Sequence, residues 1–356
     1  MKTSVKRAHP LVRCVGIAVL QVWFVTIAQA SSFQLVSAPD PQLAASAGGA
    51  GDSYLPVVSR DGRYVLFGST ADNLVAVGTN HTIPALLPRP INVFLRDRTN
   101  GSTVLVSIDL GGTGGGNGDS LPVGISTNGR YALFESRASN LVPGDTNNAP
   151  DVFMRDLVGD ATLLVSVGTN GALGDGGSYS SVMTPDGRYV AFTSTADNLV
   201  PGDTNGIPDV FVRDMVSNIT TVVSVGAQSA SRLFYGVPFY LLYHGSDTPV
   251  ITPDGRYIAF YSSATNVAPG VETRANVYVR DQELGTTTWA SAGALATLQS
   301  LAPASNALSF NHALSDDGRF IVFETVGDSE PSPALILRYD TQTGQRSWSK
   351  PTQLSL

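Results

Sequence analysis

Two stretches carry side chains whose types and spacing suit a hard cation. Asp145, Asn147 and Asp151 fall at relative positions 1, 3 and 7 of one loop, and Asp203, Asn205 and Asp209 repeat the pattern. Ca²⁺ takes several oxygen ligands from one tight loop, and an Asp-x-Asn opening supplies them. The set is short of an EF-hand-type loop. Position 5 is Ala149 or Ile207, and position 12 is Asp156 or Asp214 at the end of a predicted strand. The competing reading is an Asx-turn loop in which Asp and Asn bond their own backbone. No cofactor is called for by the sequence, and calcium is the one candidate.

A different chemistry stands at Ser229–Gly245. This insertion holds Arg232, Phe234, Tyr235, Phe239, Tyr240, Tyr243 and His244. An aromatic loop on a rigid scaffold can stack on a sugar ring or grip a partner's peptide. The competing reading is a loop that buries its own aromatics against the scaffold. Gly118-Asp119-Ser120-Leu121 spells a hydrolase nucleophile block. It matches Gly51-Asp52-Ser53-Tyr54 one repeat earlier, and the chain after residue 30 has only His81, His244 and His312 as bases. A Ser-His-Asp set is therefore not expected. The pairs Arg155/Asp156, Arg213/Asp214 and Arg280/Asp281 recur in register, which assigns them to bonding between strands.

The elements that position these residues follow from an internal repeat. Thr184-Pro185-Asp186-Gly187-Arg188-Tyr189 has near-copies around Gly62, Gly129, Gly255 and Gly318, spaced 58 to 68 residues apart. Pro presets φ at the second turn position and Gly accepts φ > 0 after it. A strand rich in β-branched and aromatic residues follows each turn. A third strand recurs as Asn92–Asp97, Asp151–Asp156, Asp209–Asp214 and Asn276–Asp281, with a degenerate copy at Leu335–Asp340. A fourth recurs as Thr103–Ser107, Thr162–Ser166, Thr220–Val225 and Thr287–Ser291. No helical periodicity interrupts the series. The reading is an all-β propeller of four-stranded blades, five in number, with six as the alternative. Phe33–Ser37 resembles a spare fourth strand that would close the ring or mark the sixth blade. The first strands are nearly uncharged, which argues against a catalytic acid cluster in a central channel.

The Pro-Asp-Gly-Arg turn, the Tyr-Val-Ala-Phe strand after it and the Val-Phe-Val-Arg-Asp strand resemble the WD40-like PD40 repeat of TolB-type β-propellers. The resemblance covers nearly all of residues 31–350. It implies the propeller fold and leaves function open, because that family holds binding proteins, envelope factors and propellers joined to peptidases. TolB itself has an α/β domain before its propeller, whereas here the repeats begin about 25 residues past the cleavage site expected below. Tol–Pal function is therefore not implied.

Lys2, Lys6, Arg7 and Arg13 precede the apolar run Cys14–Ala28, and Ala28-Gln29-Ala30 is a small-residue cleavage pattern. Residues 1–30 read as a signal peptide and residues 31–356 as a single propeller domain, periplasmic or secreted. Cleavage would remove four of the 22 basic residues and no acidic one, leaving 18 against 29 and a formal net charge of −11. That balance argues against nucleic acid as a partner. No later run is long enough to span a membrane. Cys14 is the only cysteine, so disulfides are excluded. The expected function is an exported, non-enzymatic binding or scaffold module for a protein or carbohydrate partner, taken as a monomer. The alternative is a secreted propeller hydrolase, glycosidase- or peptidase-like, using loop carboxylates.

Overall fold

The computed structural model describes residues 36, 49–75, 89–228, 245–271, 275–328 and 334–349. The signal segment, most of the Ala76–Pro90 loop and the aromatic insertion lie outside them.

The repeated turn generates the local structure. Thr184 Oγ1 donates to Asp186 Oδ1 at 2.6 Å, and Arg188 N donates to the same oxygen at 2.9 Å. Tyr189 N donates to Thr184 Oγ1 at 3.0 Å. Gly187 takes φ +77°, a conformation that a Cβ resists. The hairpin so closed joins the first two strands of each sheet.

The first sheet holds β1 (Ser53–Val58), β2 (Tyr64–Ser69), β3 (Asn92–Asp97) and β4 (Ser102–Leu105). The second holds β5 (Ser120–Ile125), β6 (Tyr131–Ser136), β7 (Asp151–Asp156) and β8 (Ala161–Leu164). The third holds β9 (Ser178–Met183), β10 (Tyr189–Ser194), β11 (Asp209–Asp214) and β12 (Ile219–Val222). The fourth holds β13 (Ser246–Ile251), β14 (Tyr257–Ser262), β15 (Asn276–Asp281) and β16 (Thr286–Trp289). After α1 (Ala294–Gln299) the fifth holds β17 (Ala307–Leu314), β18 (Phe320–Gly327), β19 (Leu335–Asp340) and β20 (Arg346–Ser349). Each sheet is an antiparallel meander in chain order, and the five are blades of a β-propeller. The helix corrects the expectation that none interrupts the repeat. Ala294 and Leu298, four residues apart, bury its one apolar face.

Every first strand carries a bulge, with register breaks at Tyr54/Val57, Pro122/Gly124, Ala191/Thr193 (opposite β9), Asp247/Val250 and Phe310/Ala313. Leu55, Ser180, Thr248 and Asn311 take φ near +50° there. Such strained positions persist only where their surroundings over-determine them.

Between successive blades the core is apolar. Leu66, Val93 and Val106 of the first blade meet Ala132, Phe134 and Phe153 of the second. Val165, Val223 and Ala290 take the place of Val106 at the next three junctions. Within blades, Phe134 stacks on Phe153 at 5.5 Å and Phe192 on Phe211 at 5.9 Å. Such pairs add roughly 0.5–1.5 kcal/mol beyond their burial.

A second device joins the blades at their turns. A Cβ built on Gly129, Gly187, Gly255 or Gly318 would lie 2.1–2.6 Å from the ring of Tyr64, Tyr131, Tyr189 or Tyr257 respectively, each ring coming from the preceding blade. The turn glycine therefore answers two needs, positive φ and the seat for a ring.

The junction between the fifth and first blades departs from this pattern. Among the described residues no strand pair in substantial contact links them. Among the described residues Gly62 faces no ring. Phe320, which stands where the other blades have Tyr, is covered by Arg338 at 5.0 Å. Arg338 is exposed and occupies the position of the buried Leu95, Met154, Val212 and Val279. Val322 opposite it is 37% exposed. On the first blade, Val36 packs against Phe67 and Phe94, the place that Val106 fills one blade later. The rest of the spare strand lies outside the described residues.

Candidate functional site

The two aspartate loops connect the second and third strands of blades two and three. Both contain the Asx turn. Asn147 Oδ1 accepts from Ala149 N and Asn205 Oδ1 from Ile207 N, each at 3.0 Å. Asn147 Nδ2 donates to Asp151 Oδ2 at 2.9 Å and to Gly174 O at 3.0 Å, tying the loop to the segment that enters blade three. Asn205 Nδ2 likewise donates to Asp209 and to Ala227 O. The Asx-turn reading thus accounts for Asn147 and Asn205.

It does not account for the aspartates. In blades one to four the first residue of the third strand is latched by a serine that follows the fourth. Ser166 Oγ donates to Asp151 Oδ1 at 2.7 Å, and Ser224 Oγ to Asp209. In blades one and four the same serine, Ser107 or Ser291, bonds an asparagine, Asn92 or Asn276. The latch works with a neutral residue. Blades two and three instead bury a carboxylate there, and they are also the blades with Asp145 or Asp203 in the loop. Burial pushes Asp151 up to about 6, and the Asp145 charge adds to the effect. Burial likewise pushes Asp203 to about 6, with Asp209, Asp197 and Asp175 adding repulsion. Asp145 and Asp209 are raised by the same desolvation. Asp203 Oδ2 is sealed from solvent without a hydrogen-bond partner.

Asp203, Asn205 and Asp209 line a cleft of about 490 Å³ that reaches Gln228, the residue before the aromatic insertion. Asp197 and Asp175 stand where blade two has Ser139 and Asn117, and Asp197 N donates to Asp175 Oδ1 at 2.9 Å. Comparison of the repeats in register carries that signal, because the two aspartates replace neutral residues. No three His, Cys, Asp or Glu side chains converge as a metal-ligand group among the described residues. Of the remaining candidates, Arg232, Phe234, Tyr235, Phe239, Tyr240, Tyr243 and His244 lie outside the described residues.

The recurring Arg-Asp pairs are structural, in two layers. The strand-end aspartates bond the arginine of the turn: Asp156 receives Arg130 Nε at 2.9 Å and Nη2 at 2.7 Å. That bidentate pairing holds Asp156 well below the usual carboxylate range. Each turn guanidinium also stacks on the aromatic residue that follows it, Arg188 lying 4.7 Å from the Tyr189 ring. The neighbouring strand arginine is more buried and bonds the fourth strand, as Arg213 Nη1 does to Thr220 Oγ1 at 2.9 Å.

The first strands are less neutral than their sequences suggest. β13 begins at Ser246 rather than Pro249 and brings in Asp247, which accepts from Thr193 Oγ1 at 2.9 Å. Glu135, on the second strand β6, accepts from Ser181 N and Oγ of β9, both at 2.8 Å, across the junction of blades two and three. Both carboxylates are thus engaged at the bulges. A shallow cleft of about 320 Å³ across the first strands of blades one to three is mainly apolar, with Val57, Val123, Ile125, Val182 and Met183 in its lining.

No family model matches the chain, and no curated protein matches it significantly. Among solved structures it is similar to TolB from Acinetobacter baumannii at 17% identity and a TM-score of 0.41, over 85% of this chain and 55% of that one. It is similar to an oligogalacturonate lyase from Vibrio parahaemolyticus at 12% identity and a TM-score of 0.47, over 83% of this chain and 64% of that one. It is similar to the tricorn protease at 12% identity and a TM-score of 0.44, over 82% of this chain and 26% of that one. The chain thus spans less than two thirds of each of these proteins, and likenesses at this level concern the fold alone.

Proposed function

We propose that this propeller is an exported, non-enzymatic binding or scaffold module that engages a protein or carbohydrate partner outside the cytoplasm. One observation supports this reading above the others. The polar side chains that recur in the repeat are consumed in holding strands and blades together, so the features free to act are those that break it, above all the insertion Ser229–Gly245. No described helix is long and apolar enough to cross a membrane. Pull-down with the chain from Ser31 onward tests the reading, against a variant lacking residues 234–243. A partner retained by the first and lost by the second is expected. Equal recovery by both places binding elsewhere, and recovery by neither removes the reading.

A second reading concerns the aspartate loops, and a specific observation favours it. Carboxylates replace asparagine in the two repeats that already carry a loop aspartate, and among the described residues no cation offsets them. Asp145 with Asp151, and Asp203 with Asp209, would hold a divalent cation such as Ca²⁺, which supplies that charge. A hydrolase at the third-blade loop is less well served, because Asp209 is occupied by Ser224 and Asn205 and a glycosidase needs two available carboxyl groups. With dissociation constants in the millimolar range or just below, 10 mM Ca²⁺ should stabilise the protein by about 1–3 kcal/mol relative to chelator. A melting temperature unchanged by chelator and by Ca²⁺ removes the cation.

A further inference from the structure

The junction between blades three and four holds an outer cleft of about 540 Å³. The repeat explains why it opens. Between blades one and two, Leu95 and Leu157 pack in the junction core, and between blades two and three Met154 and Met215 do so. The corresponding residues between blades three and four are Val212 and Gln282. On the neighbouring fourth strand, Thr221 stands where Val104 and Leu163 stand in the first two blades. One large apolar pair has thus become a smaller valine beside an amide, and the wall next to it has gained a hydroxyl.

That amide is unsatisfied. Gln282 Nε2 is buried and has no hydrogen-bond partner, and an unmet buried donor is costly. Around it the cleft offers both polarities. Ser217 and Thr221 present exposed hydroxyls. Asp214 and Asp254 line the wall, and Glu283 is held at its mouth by Arg256 Nη1 at 2.6 Å. Val212 and the half-exposed Ile219 supply an apolar patch.

We propose that this cleft binds a neutral oligosaccharide. Sugar hydroxyls accept from Gln282 and exchange hydrogen bonds with Ser217 and Thr221, and the C–H face of a pyranose suits Ile219. The volume falls in the range of small-ligand sites, ~300–1,000 Å³. An anionic ligand would meet three carboxylates against Arg256. A lysine or arginine side chain would bring Gln282 another donor instead of the acceptor it lacks. The proposal rests on the reading of the protein as a binding module, and its residues are other than those of the aromatic insertion and the aspartate loops.

A printed array of neutral and acidic oligosaccharides, probed with the chain from Ser31 onward, tests it, with titration calorimetry on the best neutral glycan. Binding to neutral glycans is expected, with affinity reduced roughly tenfold or more in Gln282→Met and in Thr221→Leu. These variants restore the residue types that blades three and two carry at those positions, so melting temperatures should hold. Neutral-glycan binding that both variants retain overturns the site, and binding confined to acidic glycans or to an oligolysine control overturns the ligand class. No glycan binding overturns the proposal while leaving the binding-module reading to the pull-down, which depends on residues 234–243.

Discussion

Gly255→Ala should destabilise the protein by roughly 2–5 kcal/mol, and Gly62→Ala by only about 1–2 kcal/mol. Both glycines sit in the same turn with φ above +70°, so both variants pay the left-handed backbone cost of about 1–2 kcal/mol. The difference lies in what stands opposite. A Cβ at Gly255 would lie 2.3 Å from Cδ2 of Tyr189, whereas at Gly62 the nearest atom is the flexible Arg98 Nη1 at 3.9 Å. Tyr189 cannot simply withdraw, because Arg188 stacks on it and it packs against the junction core. Overpacking there adds about 1–3 kcal/mol. Urea denaturation of the two variants measures the gap. Equal losses would mean that Gly62 also seats a ring, and that the fifth and first blades meet as the others do.

The same glycine shows how much was legible in the sequence. Its turn, the strand after it and the third strand stood in the chain as a repeat, and β11 has the bounds expected of it because an Asp opens and closes it. What Gly255 faces was not legible, because the tyrosine it receives lies one repeat upstream and local chemistry does not reveal junction geometry. Asp247 was missed for a related reason. β13 extends past Pro249 through a bulge at Thr248, a residue with no glycine to announce positive φ. The degenerate copy Leu335–Asp340 did mark the odd junction, since its shifted arginine, Arg338, ends on the face that other blades bury. In the aspartate loops the spacing was plain, but an Asx turn and a cation site begin with the same residues. Only the Ser latch, shared with Asn92 and Asn276, shows that a carboxylate is not needed there.

That surplus charge sets the pH dependence. In chelator, raising the pH from 4.5 to 7.5 should lower the contribution of Asp151 and Asp203 to stability by about 3 kcal/mol, while His312, which burial pushes down to about 4, works in the opposite direction over the same window. Asp151 and Asp203 are both pushed up to about 6 in the folded protein by burial. A group raised on folding favours the protonated form, so its stability is complete below the unfolded value near 4 and is lost as pH climbs through 6. Asp151, mostly buried, contributes about 2 kcal/mol of the loss over this window. The more exposed Asp203 contributes about 1 kcal/mol once solvent screening is allowed for. The carboxylates that arginines hold down, such as Asp97 and Asp156, run the other way. Their contribution is present above the unfolded value and is lost at lower pH, so it is nearly constant over most of this window. Asp203→Asn should therefore gain about 1 kcal/mol at pH 7.5 and almost nothing at pH 4.5. Its amide keeps an oxygen for the backbone N–H of Asn205 and turns a donor toward the surrounding carboxylates. Thermal melts of wild type and variant across the window read both effects. A difference between variant and wild type that stays flat from pH 5 to 7.5 would show that Asp203 is solvated, because His312 contributes equally to both proteins, and a variant less stable at pH 7.5 would show that the lone oxygen of Asp203 has a partner in solution. Millimolar Ca²⁺ separates the two remedies for buried charge. If the loop takes a cation, Ca²⁺ restores the wild type at pH 7.5, and its effect on the Asp203→Asn variant is reduced to what the Asp145 loop supplies.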